Sequence, residues 1–228
     1  MRAILLAAGL GTRLRPYTNE TPKCLMKIKG RILLDIWLEN LSNAGITKFL
    51  INTHHLKDKV LDFIGSSAYK DRIVVSDEPV LLGTAGTFSK NIEFYENNDG
   101  MLIHADNYCL ANISEFIEAH KRRPSFTVAT IMTFRTDSPA KCGIFCLNSD
   151  GVISNFYEKI QNPPGNLANG AVYIFSKDFI SSFRANYLFA KEMTLDVIPD
   201  LIGRLYSYET NATFIDIGTP QSYRRANL

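Results

Sequence analysis

One stretch near the start of the chain restricts what the remainder can fold into. It reads LLAAGLGTRLRPYTNETPK, from Leu5 to Lys23. The apolar run Ala3 to Ala8 predicts a fully buried strand. It breaks into Gly9-Leu10-Gly11-Thr12-Arg13, where two glycines let the backbone turn tightly and approach a ligand closely. Backbone N–H groups in such a loop converge on anionic oxygens, and Arg13 and Lys23 add mobile positive charge. A strand running into a glycine loop flanked by cations is suited to hold a triphosphate. Two other phosphate loops do not fit. The dinucleotide fingerprint needs a small residue where Leu14 stands, with Arg15 next, and no Gly-Lys-Ser/Thr triplet occurs.

Downstream, helix and strand patterns alternate. Ile32 to Ala44 has apolar residues at helical spacing, closed by Gly45. Lys48 to Asn52 predicts a strand ending in a loop at His54-His55, Lys57 to Ile64 a helix, and Arg72 to Ser76 a third strand. This alternation with short connections predicts an α/β sheet of parallel strands, whose ligands collect at the strands' carboxyl ends. Asp77 to Thr87 reads as a loop entering a helix, with Gly83 giving backbone freedom and Thr84 placed to cap. Gly100 to Ala105 is a further buried strand ending in Asp106-Asn107. A lone Asp there is usually a turn residue, although a carboxylate at such a strand end is also a natural magnesium ligand. Ile113 to Arg122 predicts a helix and Ser125 to Met132 a strand. Lys141 to Leu147 and Val152 to Tyr157 predict a hairpin around Asn148–Gly151. Met193 to Leu205 reads as helical, limited by Pro199, and Thr219-Pro220 starts a last helix.

With 228 residues, 46% hydrophobic and 21% charged, the chain can bury one sizeable core. Its net charge of +2 makes no case for nucleic acid or an anionic membrane as partner. No apolar run approaches the roughly 18 to 20 residues that span a bilayer, and the first apolar run flows into the glycine loop rather than a cleavage site. Cys24, Cys109, Cys142 and Cys146 show no C-x-x-C spacing. Buried reduced thiols are favoured over a zinc pair at Cys142 and Cys146, and a cytoplasmic location is expected.

The segment AAGLGTRLRPYTNETPKCL resembles the pyrophosphorylase motif of the sugar-1-phosphate nucleotidyltransferases, G-G-x-G-T-R-L-x-P-L-T-x-x-x-P-K-P. It departs at Ala8, Tyr17 and Cys24. Glu78 to Gly86 is similar to that family's E-x-x-x-L-G-T-A-G segment. Gly143 falls in its cGI element, Glu158-Lys159 matches its Glu-Lys pair, and Asn169 to Phe175 resembles its N-x-G-x-Y-x-F strand. FIDIGTPQSYRRAN is similar to the family's W-x-D-I-G-T-P-x-x-Y-x-x-A-N ending, with Phe214 for Trp.

The resemblance implies a Rossmann-like three-layer α/β/α nucleotidyltransferase fold, with a mostly parallel central sheet and a small sugar-binding β-subregion. It implies a single domain over 1–228, with 1–110 for the NTP and 111–228 for the sugar phosphate. The implied reaction joins an NTP to a sugar 1-phosphate, giving an NDP-sugar for cell-surface polysaccharide precursors plus pyrophosphate. Arg13, Lys23 and Asp106 are implied to be catalytic. Leu6, Ala8, Gly9, Gly11, Thr12, Arg13, Lys23, Glu78, Gly83 and Thr84 would bind the nucleotide. Asn107, Gly143, Glu158, Lys159 and Asn169 would bind the sugar phosphate, and Asp106 and Asp216 would hold Mg2+. Glu158 and Lys159 point to opposite faces of a regular strand, so joint use requires the strand to end or bulge there. The LGTAG form favours GTP with a mannose- or heptose-type sugar, with UTP and a hexosamine- or muramic-type sugar close behind. A glycosyltransferase would need Asp-x-Asp, which Asp106-Asn107-Tyr108 lacks. A non-catalytic nucleotide sensor could lose Lys23 or a metal ligand, and this chain keeps them all. The family's habit of assembling as dimers or larger adds a homo-oligomer to the expected partners.

Overall fold

The computed structural model describes residues 1–228. The chain forms two compact units. Met1–Leu81, Ile103–Asn112 and Ala212–Leu228 make the first, and Leu82–Leu102 and Ile113–Asn211 the second. The chain lays down β1 (Arg2–Leu6), the short pair β2 (Lys27–Ile28) and β3 (Arg31–Ile32), α1 (Leu33–Asn43), β4 (Lys48–Thr53), α2 (Lys57–Ser66) and β5 (Ile73–Asp77). Next come α3 (Gly83–Lys90), β6 (Gly100–His104) and β7 (Asn107–Cys109). There follow α4 (Ile113–Arg122), β8 (Ala129–Arg135), β9 (Gly143–Leu147), β10 (Ile153–Glu158), β11 (Leu167–Phe175), α5 (Lys177–Asn186) and β12 (Leu205–Glu209). Finally β13 (Phe214–Asp216) and α6 (Pro220–Ala226) belong to the first unit again.

The first unit is Rossmann-like α/β. Strands β1, β4 and β5 run parallel, with Ile4 opposite Leu50 and Leu50 opposite Val74. Ala3, Ile4 and Leu5 are wholly buried, as a continuous apolar run requires when both sheet faces are covered. Helix α1 turns Leu33, Leu34, Ile36, Trp37, Leu38 and Leu41 inward, and Gly45 (φ +84°) ends it with a bond from its N–H to Ser42 O. Helix α6 starts with Pro220 behind a Thr219–Ser222 capping box.

The second unit supplies the expected β-subregion. β10 pairs antiparallel with β9, β11 antiparallel with β8, and β12 parallel with β8. Its core stacks rings from α3, β11 and α5. Phe88 lies 4.7 Å from Phe183 and 5.2 Å from Phe175, and Phe175 lies 5.1 Å from Phe179. Two expectations change here and one helix is added. The strand expected from Ser125 starts only at Ala129, because Thr127 bonds back to Pro124 O through both its N–H and its hydroxyl. The helix expected over Met193 to Leu205 is a π turn, Met193–Val197, and a 3-10 turn, Pro199–Leu201, before Leu205 enters β12. Pro199 cannot donate to a continuing helix. Helix α5 was not anticipated, although Ser176 caps it by accepting from Phe179 N.

Candidate functional site

The loop after β1 is anchored at its base and open at its tip. Ala7 N donates to Asn52 Oδ1 at 2.7 Å, and Leu6 O accepts from Ala105 N at 3.1 Å. Ala8 is buried, whereas Gly9, Leu10, Thr12 and Arg13 are exposed. Gly11 is left-handed (φ +62°), and a Cβ there would stand 2.9 Å from Thr18 Cγ2. Thr18 donates its hydroxyl to Gly11 O at 2.7 Å, which clamps the turn. Glycine is therefore required at 11, for conformation and for space alike.

Two acids distant in sequence meet through strand register. β13 pairs antiparallel with β7, with Asp216 opposite Asn107, which sets Asp216 beside Asp106. Ile217 N donates to Asp106 O. Lys23 Nζ donates to Asp106 Oδ2 at 2.6 Å and to Asp216 Oδ1 at 3.0 Å, and Gly218 N adds a bond to Asp216 Oδ1 at 2.8 Å. Arg13 Nη2 is 3.9 Å from Asp216 Oδ2. Burial alone would lower the Lys23 pKa, but Asp106 and Asp216 outweigh it and the net shift is upward. For Asp106 burial pushes upward, while Lys23 and His104 pull the carboxyl below its ordinary value. Asn107 is buried, and its carbonyl accepts from Trp37 Nε1 at 2.8 Å.

Glu78, expected on the nucleotide, is 1% exposed, and its Oε1 accepts from Asn52 Nδ2 at 3.0 Å. Asn52 thus links Glu78 to the Ala7 amide at the root of the glycine loop. The sequence reading left Asn52 out. A polar residue closing the apolar run Phe49-Leu50-Ile51 on β4 was the available signal.

In the second unit Thr84 does not cap. Helix α3 begins at Gly83 with Leu82 before it. The Thr84 hydroxyl donates to Glu192 Oε2 at 3.0 Å and accepts from Met193 N at 2.7 Å. Ala85 N bonds Lys191 O at 2.9 Å, and a Cβ on Gly83 (φ +77°) would run into the same carbonyl. Gly143, Glu158 and Asn169 are brought together. Glu158 is opposite Gly143, and the pairing of Ala168 with Ile144 carries Asn169 towards Gly143. β10 ends at Glu158 and Lys159 is left-handed (φ +50°). Lys159 Nζ reaches Glu158 Oε1 at 2.8 Å, so the strand does end where joint use requires. Asn169 donates to Tyr173 OH at 3.1 Å and accepts from Ala171 N at 2.8 Å. The glycine of the N-x-G-x-Y pattern falls on Ala171, itself left-handed (φ +53°) within a register shift of β11.

Cys24 and Cys109 are buried, and burial pushes both thiols up to about 12, with Asp106 adding to the effect at Cys24. Cys142 and Cys146 are half-exposed rather than buried. No group of three or more His, Cys, Asp or Glu side chains converges as a metal cage. No helix is long and apolar enough to cross a membrane.

A family model described as nucleotidyl transferase matches residues 2–228. A glucose-1-phosphate adenylyltransferase of Thermotoga maritima is 27% identical over 251 residues, covering 99% of this chain and 59% of its own length. A mannose-1-phosphate guanyltransferase of Aspergillus oryzae is 27% identical over 229 residues, covering 98% and 62%. The chain therefore spans about three fifths of the length of the curated relatives it matches. The crystal structure of HddC from Yersinia pseudotuberculosis complexed with GMP-PN is similar with a TM-score of 0.81 at 27% identity, covering 99% of this chain and 97% of that one.

Proposed function

The chain belongs to the nucleotidyl transferase family, and from that membership we propose that it transfers a nucleotidyl group from an NTP to a sugar 1-phosphate, releasing pyrophosphate. The observation that carries this reading is the convergence of Lys23 on Asp106 and Asp216, with Arg13 of the glycine loop 3.9 Å away.

The attacking oxygen already belongs to a phosphate dianion, so no strong general base is needed. Catalysis is positioning and neutralisation of charge spreading over the α-phosphate. Arg13 and the amides around Gly9, Gly11 and Thr12 receive the β- and γ-phosphates, which leave together. Lys23 serves the α-phosphate. Lys159 orients the phosphate of the sugar, and Glu158 takes sugar hydroxyls.

Asp106 and Asp216 fit magnesium by the chemistry of their donors. Two carboxylates already share one cation, and magnesium takes one or two carboxylates together with substrate phosphates and water. When bound, it would neutralise charge on the reacting phosphates.

The nucleotide we favour is GTP, with a mannose- or heptose-type sugar 1-phosphate. Leu82-Gly83-Thr84-Ala85-Gly86, the mannose-1-phosphate guanyltransferase relative and the similar structure complexed with GMP-PN support this choice. The product would feed polysaccharide precursor synthesis in the cytoplasm. Four NTPs tested with a panel of sugar 1-phosphates for pyrophosphate release decide the matter. Release with GTP and mannose or heptose 1-phosphate is expected. Release only with UTP and a hexosamine 1-phosphate would replace base and sugar, and no release with any pair would overturn the reaction.

A further inference from the structure

The single charge of Lys23 is shared between two carboxylates. Its side chain is 8% exposed, while those of Asp106 and Asp216 keep 35% and 53% of their surface open. Register alone sets the two carboxylates side by side, where they would repel without a cation between them. The ammonium supplies that cation at 2.6 and 3.0 Å. These are the same two carboxylates assigned above to magnesium. An ammonium and a divalent ion cannot both sit at contact distance on one carboxylate pair without strong like-charge repulsion. Arg13, at 3.9 Å and largely exposed, adds further positive charge on the Asp216 side. Of the two anionic substrates, the triphosphate carries the greater negative charge and is the one assigned above to Lys23, and a four-carbon stem gives the ammonium the reach to follow it.

We propose that Lys23 is a resident counter-cation that closes the Asp106–Asp216 pair to free divalent metal, and that nucleotide phosphates open the pair by taking the ammonium. This rests on the nucleotidyl-transfer reading and adds an order to it: metal settles with the nucleotide or after it, never before.

MnCl2 titrated into the nucleotide-free protein, with free Mn2+ followed by electron paramagnetic resonance, tests the proposal without turnover. Wild type should bind weakly. Lys23→Met, similar in length but uncharged, should bind at least tenfold tighter, and adding Asp106→Asn to it should abolish the gain. Lys23→Arg, which keeps the charge, should stay as weak as wild type. Equal or weaker binding by Lys23→Met would overturn the proposal. Should Lys23→Met unfold, MnCl2 must restore its folded fraction by replacing the missing cation, and failure to do so counts equally against the idea. Failure of the parent reading looks different: no NTP and sugar 1-phosphate pair releases pyrophosphate, while the Mn2+ difference between wild type and Lys23→Met stands.

Discussion

A Cβ on Gly143 would stand 2.5 Å from Glu158 Oε2, so the glutamate occupies the space that any side chain at 143 would need. The ring of Phe156 closes the same space at 2.6 Å. Gly143→Ala should displace Glu158 while leaving the β9–β10 hairpin paired. A charge-assisted bond to a sugar hydroxyl is worth about 1.5–3 kcal/mol, so the KM for the sugar 1-phosphate should rise roughly 10- to 150-fold. Calorimetry with NTP alone should be near normal. An unchanged sugar KM would remove Glu158 from the sugar site.

Lys159 lies just beyond the strand end with its backbone turned left-handed. Lys159→Ala should weaken sugar 1-phosphate binding by about 1.5–3 kcal/mol and spare NTP. Glu158→Gln should instead change the ranking among sugars, because a carboxylate reads hydroxyl positions and a lysine reads charge. Equal weakening of NTP and sugar 1-phosphate by Lys159→Ala would place this segment on the nucleotide side.

Asp106→Asn should retain the fold by circular dichroism and lose most turnover, since it deletes a charge with little change in volume. Removing a group that acts on developing charge lowers kcat and kcat/KM together, by about 2–4 kcal/mol. Wild-type turnover at saturating substrates and magnesium would exclude Asp106 from the reaction.

Asn52 joins the Ala7 amide to Glu78 in a buried setting. Asn52→Leu takes this partner from both groups and should cost about 1–3 kcal/mol in urea unfolding. The KM for NTP should rise as the loop loses its anchor. A variant with unchanged midpoint and unchanged KM would show that the link positions nothing.

His120 is 1% exposed, with Nδ1 2.9 Å from Thr130 Oγ1 and Nε2 3.4 Å from Asp99 Oδ2. Burial lowers its pKa, Arg123 lowers it further, and Asp99 opposes without prevailing. The unfolded chain therefore takes up this proton first as pH falls below about 6.5, and stability must drop with acid by at most about 1.4 kcal/mol per pH unit. Urea midpoints should fall between about pH 7 and pH 5.5, and His120→Gln should flatten that fall. An equally steep fall in the variant would assign it to other groups.

The parallel core of the first unit was legible because its signals are local. Ala3 to Ala8 is uniformly apolar, and Gly45 closes a helix whose buried face repeats at helical spacing. The end of β10 between Glu158 and Lys159 could be read as a requirement, since two adjacent residues cannot share one face of a regular strand. Thr84 was misjudged because a threonine ahead of apolar residues has the look of a cap, whereas its real partners, Glu192 and Met193, lie more than a hundred positions away. Asn52 was overlooked for a similar reason: its partners Ala7 and Glu78 flank it at long range. Thr127 shows the opposite case, in which short-range bonds to Pro124 overrode strand propensity.

The pairing of β7 with β13 also has a consequence in time. A ribosome releases Lys23 and Asp106 early, but Asp216 follows about 110 residues after Asp106, roughly 5 to 20 s later at about 5–20 residues per second. Throughout that interval the lysine has one acid to neutralise instead of two. A nascent chain paused anywhere in the second unit's last strands would hold a complete glycine loop that could engage anions but lack half of its acidic pair. The acidic pair around Lys23 is thus completed only when Asp216 emerges, long after its first two members.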